Sequence, residues 1–145
     1  MGKKSRTKGA VAENDVCKLI APIHEGAQRE LDQYQDKLGR DIKGCAPLCI
    51  QVKRYKKIHP GDIRTAYSEA LSALDGEYLY PVVFYREDRR QWRVSTDMGT
   101  LMEISNLAIN PSPRLRELIV DMDAREFVNY LAQGYTLPSQ GQSDE

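Results

Sequence analysis

Residues 47–85, PLCIQVKRYKKIHPGDIRTAYSEALSALDGEYLYPVVFY, carry the pattern that decides the fold. Polar and apolar residues alternate within 47–55, which is typical of a β-strand because successive side chains point to opposite faces. Gln51 and Lys53 are therefore expected on one face of this strand, with Ile50 and Val52 on the other.

A helix and a second strand follow within the same stretch. Apolar residues recur at the i, i+3, i+4, i+7 spacing of an amphipathic helix, namely Ile63, Ala66, Tyr67, Ala70, Leu71 and Leu74. We expect Asp62 to be the N-cap of this helix and Asp75-Gly76 to end it. Tyr80–Tyr85 is a nearly continuous apolar run, typical of a strand buried on both faces.

The segments before this stretch are predicted as follows. Residues 1–8 are polar and basic, and we expect a flexible basic arm. Residues 9–23 carry one apolar stripe at helical spacing, with Pro22 close to the expected end of the helix. Residues 25–39 are compatible with a helix or an ordered loop. A short strand is predicted at 41–43, before a glycine turn.

The segments after this stretch predict one more strand and several helices. Residues 91–96 are expected to pair with Tyr80–Tyr85, and Met98–Leu107 to form a short helix. Leu115–Met122 and Ala124–Ala132 are both predicted as helical, the second with Asp123 and Glu126 at the spacing of a capping box.

These elements predict an α/β fold with a small central mixed sheet flanked by helices and a helical C-terminal extension. The expected organisation is an arm at 1–8, a core at 9–100, the extension at 101–133 and a disordered tail at 134–145. The length of 145 residues is that of one domain.

Composition and charge exclude several classes of protein. No apolar stretch approaches the roughly 20 residues of a membrane span, so no membrane partner is expected. Three cysteines argue against a disulfide framework and for a reducing cytosol. No phosphate-binding or dinucleotide-binding glycine motif is present, and no small-molecule cofactor is expected.

The net charge of zero hides an asymmetry along the chain. Residues 1–66 hold 14 Lys or Arg against 8 Asp or Glu, and the remainder hold 7 against 13. Such a division is compatible with a polyanionic partner for the front half or with chance clustering on solvated surfaces.

Glu13 lies beside the apolar stripe of the first helix. On a helical wheel it is about 40° from Cys17 and about 20° from Ile20. A carboxylate that faces a core needs a cation, a metal or hydrogen-bond donors, whereas one at the edge of the stripe can reach water. Both interpretations are open from the residues alone.

A second group of polar residues lies at the predicted strands. Asp41 is at a strand end, and Gln51 and Lys53 leave one face of the next strand roughly 6–7 Å apart. Oxygen ligands hold Mg²⁺, which polarises a phosphate and lowers the pKa of a bound water, while a lysine stabilises developing charge. The alternative interpretation is the polar face of a half-exposed strand.

The order of these residues resembles the PD-(D/E)XK nuclease superfamily, and within it the phage-encoded Holliday-junction resolvase-like endonucleases. SRTKGAVAENDVCKLI is similar to the first helix of that family, with Glu13 as its acidic residue, and IQVKR to the catalytic strand. AYSEALSAL is similar to the following helix, and YPVVFYREDRRQWRV to the closing strand pair. The resemblance covers residues 5–100 and implies a restriction-endonuclease-like core.

The resemblance implies a role for each matching residue. Asp41, Gln51 and the Val52 carbonyl would hold Mg²⁺ or Mn²⁺, and Glu13 would complete the metal site. Lys53 would orient the attacking water and stabilise the transition state, and Glu69 would position Lys53 or an outer water. Two positions depart from the family pattern: Arg40 replaces a proline, and the neutral Gln51 replaces the commoner carboxylate.

Two basic clusters are expected to contact the DNA backbone: Lys3, Lys4, Arg6 and Lys8 in the arm, and Arg54, Lys56 and Lys57 with Tyr55 interleaved. A third group of arginines, in REDRRQWR at 86–93, is mixed with acidic residues and is expected to be a solvated, self-paired turn.

The resemblance predicts a metal-dependent endodeoxyribonuclease that acts on branched or duplex DNA, as a homodimer in the cytoplasm of a bacterial host. The alternative is a DNA-binding module of the same fold that Gln51 has made catalytically degenerate. A third interpretation, a protein-interaction adaptor, draws on the acidic rear half.

Overall fold

The structure, a computed structural model, describes residues 2–30, 40–105 and 111–134, with side chains from Gly9 onward. Its helices are α1 (Gly2–Ile20), α2 (Asp62–Ser72), α3 (Met98–Ile104), a 3₁₀ helix (Pro113–Glu117) and α4 (Ala124–Gly134). Its strands are β1 (Gln28–Arg29), β2 (Ile42–Lys43), β3 (Leu48–Tyr55), β4 (Tyr80–Glu87), β5 (Arg93–Asp97) and β6 (Ile119–Asp123). None of the helices in these ranges has the length and apolar character needed to cross a bilayer.

The central sheet is mixed and has the strand order β3-β4-β5-β6. β3 and β4 are parallel and are joined through α2, while β4–β5 and β5–β6 are antiparallel. This arrangement confirms the predicted α/β class with a small mixed sheet flanked by helices. A separate pair of short strands, β1 and β2, lies beside β3.

Helices cover both faces of this sheet. On one face, α1 and α4 pack over a core that includes Ile50, Val52 and Phe84. On the other face, α2 contributes Ala66, Tyr67 and Ala70 to a second cluster. The alternation predicted for 47–55 is confirmed, since Ile50 and Val52 lie in the first cluster and Lys53 reaches α2.

The first helix differs from its predicted bounds at both ends. It begins at Gly2, so residues 2–8, which were expected to form a flexible arm, continue the helix. Their lysines and arginine have good helix propensity and no proline interrupts them. It ends at Ile20, and the His24 amide donates to the Ile20 carbonyl over 2.8 Å in the following turn. Pro22, which lacks an amide donor, lies within this turn.

The described part of 25–39 is not helical. Gln28–Arg29 forms β1, which pairs antiparallel with β2, and the remaining positions 31–39 lie outside the described residues. β2 confirms the strand predicted at 41–43. The turn predicted after it is also present, and Gly44 has a φ of 77° there, a conformation that favours glycine.

The helix predicted after HPGD is confirmed, but it ends at Ser72 rather than at Asp75-Gly76, and its cap is not Asp62. The N-cap is Gly61, at a φ of 89°, and Asp62 is the first helical residue. The Asp62 carboxylate accepts the His59 amide over 2.7 Å, which stabilises the turn before the helix instead.

The prediction of a helix at Leu115–Met122 was wrong. The chain forms the 3₁₀ helix and then β6, whose Asp121 accepts hydrogen bonds from Tyr85, Arg93 and Ser95. The next helix is confirmed, with Asp123 capping the Arg125 and Glu126 amides. The described residues within 101–133 supply the edge strand β6 as well as the expected C-terminal helix α4; β6 pairs with β5, and α4 packs on the core. The predicted tail lies outside the described residues from 135 onward.

Candidate active site

The candidate site lies at the β3 edge of the central sheet, where Asp41 meets β3. The Asp41 amide donates to the Ile50 carbonyl over 3.2 Å, and its carboxylate Oδ2 accepts the Val52 amide over 2.7 Å. These two bonds hold Asp41 alongside Gln51. Because the amide and carbonyl of one strand residue point to the same edge, the Val52 carbonyl faces the Asp41 side as well.

The Asp41 carboxyl is buried and electrostatically coupled to its neighbours. Burial raises its pKa to about 7, and the hydrogen bond from Val52 opposes this rise. The charges of Glu13 and Glu69 raise the pKa further, and that of Lys53 lowers it. Glu13 on α1, Lys53 on β3 and Glu69 on α2 thus all affect the pKa of one carboxyl group.

Glu13 has the partner that a carboxylate beside a core requires. Its Oε1 accepts from the Nε of Arg29 over 2.7 Å, and its side chain is 12% exposed. Arg29 was not predicted as part of the site. Its local sequence gave no signal, because only the pairing of β1 with β2 brings this guanidinium to α1.

Lys53 and Glu69 form an ion pair, which fits one of the two roles that the resemblance implied for Glu69. The Lys53 Nζ lies 2.7 Å from Glu69 Oε1, and both side chains are partly exposed. The parallel β3–α2–β4 connection places α2 over this face of β3. Gln51, two residues before Lys53, is buried at 4% exposure, so its amide belongs to the interior of the site.

The donor set fits a hard divalent cation. Two carboxylates, an amide oxygen and a backbone carbonyl are the oxygen ligands that Mg²⁺ and Mn²⁺ accept. Among the described residues, Val52 supplies the one hydrogen bond to the Asp41 carboxylate, and a nearby cation would favour its ionised form. Over the same residues no three His, Cys, Asp or Glu side chains cluster as metal ligands, so a metal here depends on Gln51 and the Val52 carbonyl.

The predicted DNA contacts lie in two places. Lys56 and Lys57 are exposed just beyond β3. Arg54 pairs with Asp88 at 3.3 Å, and the Tyr55 hydroxyl donates to the Asp62 carbonyl over 3.3 Å, so both residues also hold loops in place. The backbone of Lys3, Lys4, Arg6 and Lys8 is helical, and their side chains lie outside the described residues.

Comparison of the chain with protein-family models, with curated proteins and with solved structures found no match.

Proposed function

We propose that this protein is a metal-dependent DNA endonuclease of the PD-(D/E)XK type. The observation that supports the proposal is the position of Asp41 against residues 50–52, with Glu13, Lys53 and Glu69 close enough to affect its pKa. Metal-assisted phosphodiester hydrolysis needs oxygen ligands beside a cationic group. At this edge of the sheet, Glu13 on α1 and Asp41 lie near Gln51 and Lys53 of β3.

Each oxygen donor has a defined part in holding the cation. Asp41 is fixed by the Val52 amide, so its carboxylate does not need to reorganise when it binds a cation. Gln51 and the Val52 carbonyl complete the set, and Glu13 joins it by releasing Arg29. A bound Mg²⁺ would polarise the scissile phosphate and lower the pKa of the attacking water.

Lys53 supplies the cationic group of the reaction. Its ammonium orients the attacking water and stabilises the charge that develops on the phosphate in the transition state. Glu69 holds the ammonium on the α2 face of β3, so it is a positioning residue rather than a catalytic one. Phosphate binding beside Lys53 then competes with Glu69 for the ammonium.

The proposed substrate is branched or duplex DNA. Lys56 and Lys57 follow the catalytic strand and would neutralise backbone phosphates beside the scissile one. The resemblance favours a structure-specific, junction-resolving enzyme encoded by a phage and active in a bacterial cytoplasm. Paired cuts in a junction need two sites, so we propose a homodimer.

A nicking assay with supercoiled plasmid and a panel of linear, flap and four-way-junction DNAs tests the proposal. We expect Mg²⁺-dependent or Mn²⁺-dependent cleavage by the wild type and its loss in Lys53→Ala and Asp41→Ala. Lys57→Ala is the matched lysine control, and it should weaken binding without changing the single-turnover rate at saturating DNA. Cleavage that persists in Lys53→Ala contradicts the proposal, and uniform digestion of duplex contradicts junction specificity.

A catalytically inactive DNA-binding module of the same fold is the second candidate. The neutral Gln51 at a metal-ligand position supports it, as do the existing ion pairs of Glu13 and Glu69. The same panel distinguishes the two functions. Salt-sensitive binding of DNA without cleavage in either metal favours the module, because each neutralised phosphate adds about −0.9 to the log–log salt slope.

A further inference from the structure

A cleft separate from the candidate site lies between α1, the β4–β5 turn and the start of α4. Its volume is about 530 Å³. Its charged lining contains one carboxylate, Asp15, and five cationic side chains: Lys18, Arg86, Arg89, Arg90 and Arg125. The sequence predicted a self-paired turn for this region, and the structure instead concentrates positive charge in one concave surface.

The cations of this cleft lack the carboxylate partners that Arg29, Lys53 and Arg54 have. Arg29, Lys53 and Arg54 are ion-paired with Glu13, Glu69 and Asp88. In the described part of the chain, none of the five cleft cations makes an ion pair. The Nε of Arg86 is buried and has no hydrogen-bond partner among these residues. A buried donor without a partner carries a free-energy cost that an anionic ligand would remove.

Trp92 gives the cleft an aromatic surface. It lines the cleft, is half-buried, and packs against the core beneath α1 and α4. An indole held by core packing and surrounded by guanidinium groups is suited to stacking on a nucleobase while the cations bind the adjoining phosphates.

The cleft is connected to the candidate site through β3 and β4. Arg86 is the register partner of Arg54, and Lys53 is that of Tyr85 in the same parallel pair. Glu13 and Lys18 both lie on α1. Alternate residues of a β-strand point to opposite faces of the sheet, so Arg86 lies on the face away from Lys53. A polymeric ligand that occupied both the cleft and the candidate site would therefore have to pass around an edge of the sheet.

We propose that this cleft binds a single strand of nucleic acid, with its phosphates on the arginines and one base on Trp92. A single strand is required because the faces of duplex bases are covered by their neighbours, whereas an unstacked base can meet the indole. The choice of DNA over other phosphodiesters rests on the proposed function. A junction or flap would supply such a strand next to the scissile duplex.

The test uses the full chain in EDTA, so that cleavage does not contribute. Trp92 is the one tryptophan in the sequence, and its fluorescence reports directly on the cleft. Titration with a short mixed-sequence single-stranded oligodeoxynucleotide should give saturable quenching. An abasic strand of equal length should bind at least about fivefold more weakly and quench little, because it offers no base to stack. Absence of quenching, or equal binding of the abasic strand, overturns the proposal.

Charge variants test the cationic wall independently. Arg90→Gln combined with Arg125→Gln removes two exposed cations and should make the log–log salt dependence about 1.4 less steep, at about −0.7 per phosphate contact for a single strand. Arg64→Gln, at an exposed position on α2, is the matched control and should leave the slope unchanged. Equal slopes for both variants contradict the proposal. Lys53→Ala should retain full quenching of Trp92. Quenching therefore tests the cleft proposal, and loss of cleavage in the same variant tests the nuclease proposal.

Discussion

The Asp41 carboxylate and the Val52 amide are joined by a hydrogen bond of 2.7 Å that links the short β2 strand region to the edge of the central sheet. This bond holds the buried Asp41 carboxyl group beside Gln51 of β3. The same strand also presents Lys53 to Glu69 of α2. The protonation state of Asp41 therefore couples the stability of the fold to cation binding at the proposed metal site.

In the absence of metal, the free energy of unfolding should depend on pH through Asp41. Burial raises the Asp41 pKa from 3.8 to about 7, so the native state holds a proton that the unfolded state releases between these values. The free energy of unfolding should therefore decrease as pH rises through this window, by at most about 1.4 kcal/mol per pH unit from this group, and level off above it. Urea unfolding in EDTA across the window measures this dependence.

Asp41→Asn is the control for this prediction, because an asparagine oxygen can still accept the Val52 amide. Its unfolding free energy should vary less with pH than that of the wild type. At pH 7 a millimolar excess of Mg²⁺ should raise the wild-type melting temperature by favouring the ionised carboxylate, with no rise in Asp41→Asn. Parallel pH profiles for the two proteins would argue against a shifted Asp41.

Gln51→Glu adds a negative charge at a proposed metal-ligand position. The new carboxylate would be buried near Asp41, so we expect the metal-free protein to lose at least about 1–3 kcal/mol of unfolding free energy. Mg²⁺ should recover this loss and half-saturate the protein at a lower concentration than in the wild type. Thermal melts with increasing Mg²⁺ give both quantities, and Gln91→Glu, at an exposed position, is the matched control. An unchanged Mg²⁺ midpoint would exclude residue 51 from the metal site.

Arg29 and Glu13 provide a double-mutant cycle. The Glu13 side chain is 12% exposed, so Arg29→Ala leaves a largely buried carboxylate without its cation and should cost about 1–3 kcal/mol. Glu13→Gln should relieve most of that cost in the double variant, giving a clear coupling energy. Chemical denaturation of the four proteins measures the cycle, with Arg64→Ala as an exposed arginine control. Additive effects would show that the pair contributes nothing to stability.

Phe127 tests whether α4 belongs to the core. Its ring is fully buried and meets Phe84 edge to face, with centroids 6.0 Å apart. Phe127→Ala should cost about 3–5 kcal/mol, because it leaves a cavity under the sheet. Tyr130→Ala, on the same helix at 41% exposure, should change the unfolding free energy by less than about 0.5 kcal/mol. Equal effects of the two substitutions would mean that α4 does not pack as described.

The strongly periodic elements were predictable from the sequence, and the edge strand was not. β3 and α2 have regular alternation and helical spacing because each buries one face, so local residues determine their type. β6 is only half-buried, and Asp121 interrupts its apolar run. It is a strand because β5 lies beside it and because Tyr85, Arg93 and Ser95 donate to Asp121, and none of these partners is local in sequence.

The candidate site was predictable as residue types, and its ion pairs were only partly so. The lysine and its partner Glu69 follow from the resemblance, whereas Arg29 depends on a two-residue strand pairing. The basic turn was wrongly expected to be self-paired because acidic residues are mixed into it. In the fold Asp88 pairs instead with Arg54 from the neighbouring strand, and the arginines of the turn line the cleft.

The position of β6 also affects the order of events during synthesis. Every proposed metal ligand precedes residue 54, yet the sheet that supports them is completed by Ile119–Asp123 and by Phe127. On the ribosome, a nascent chain that has emerged only to residue 105 presents β5 with an unpaired edge. The edge of the sheet that carries the proposed ligands therefore gains its full support only after residues 119–127 have been synthesised, and until then the open side of β5 can pair with another chain.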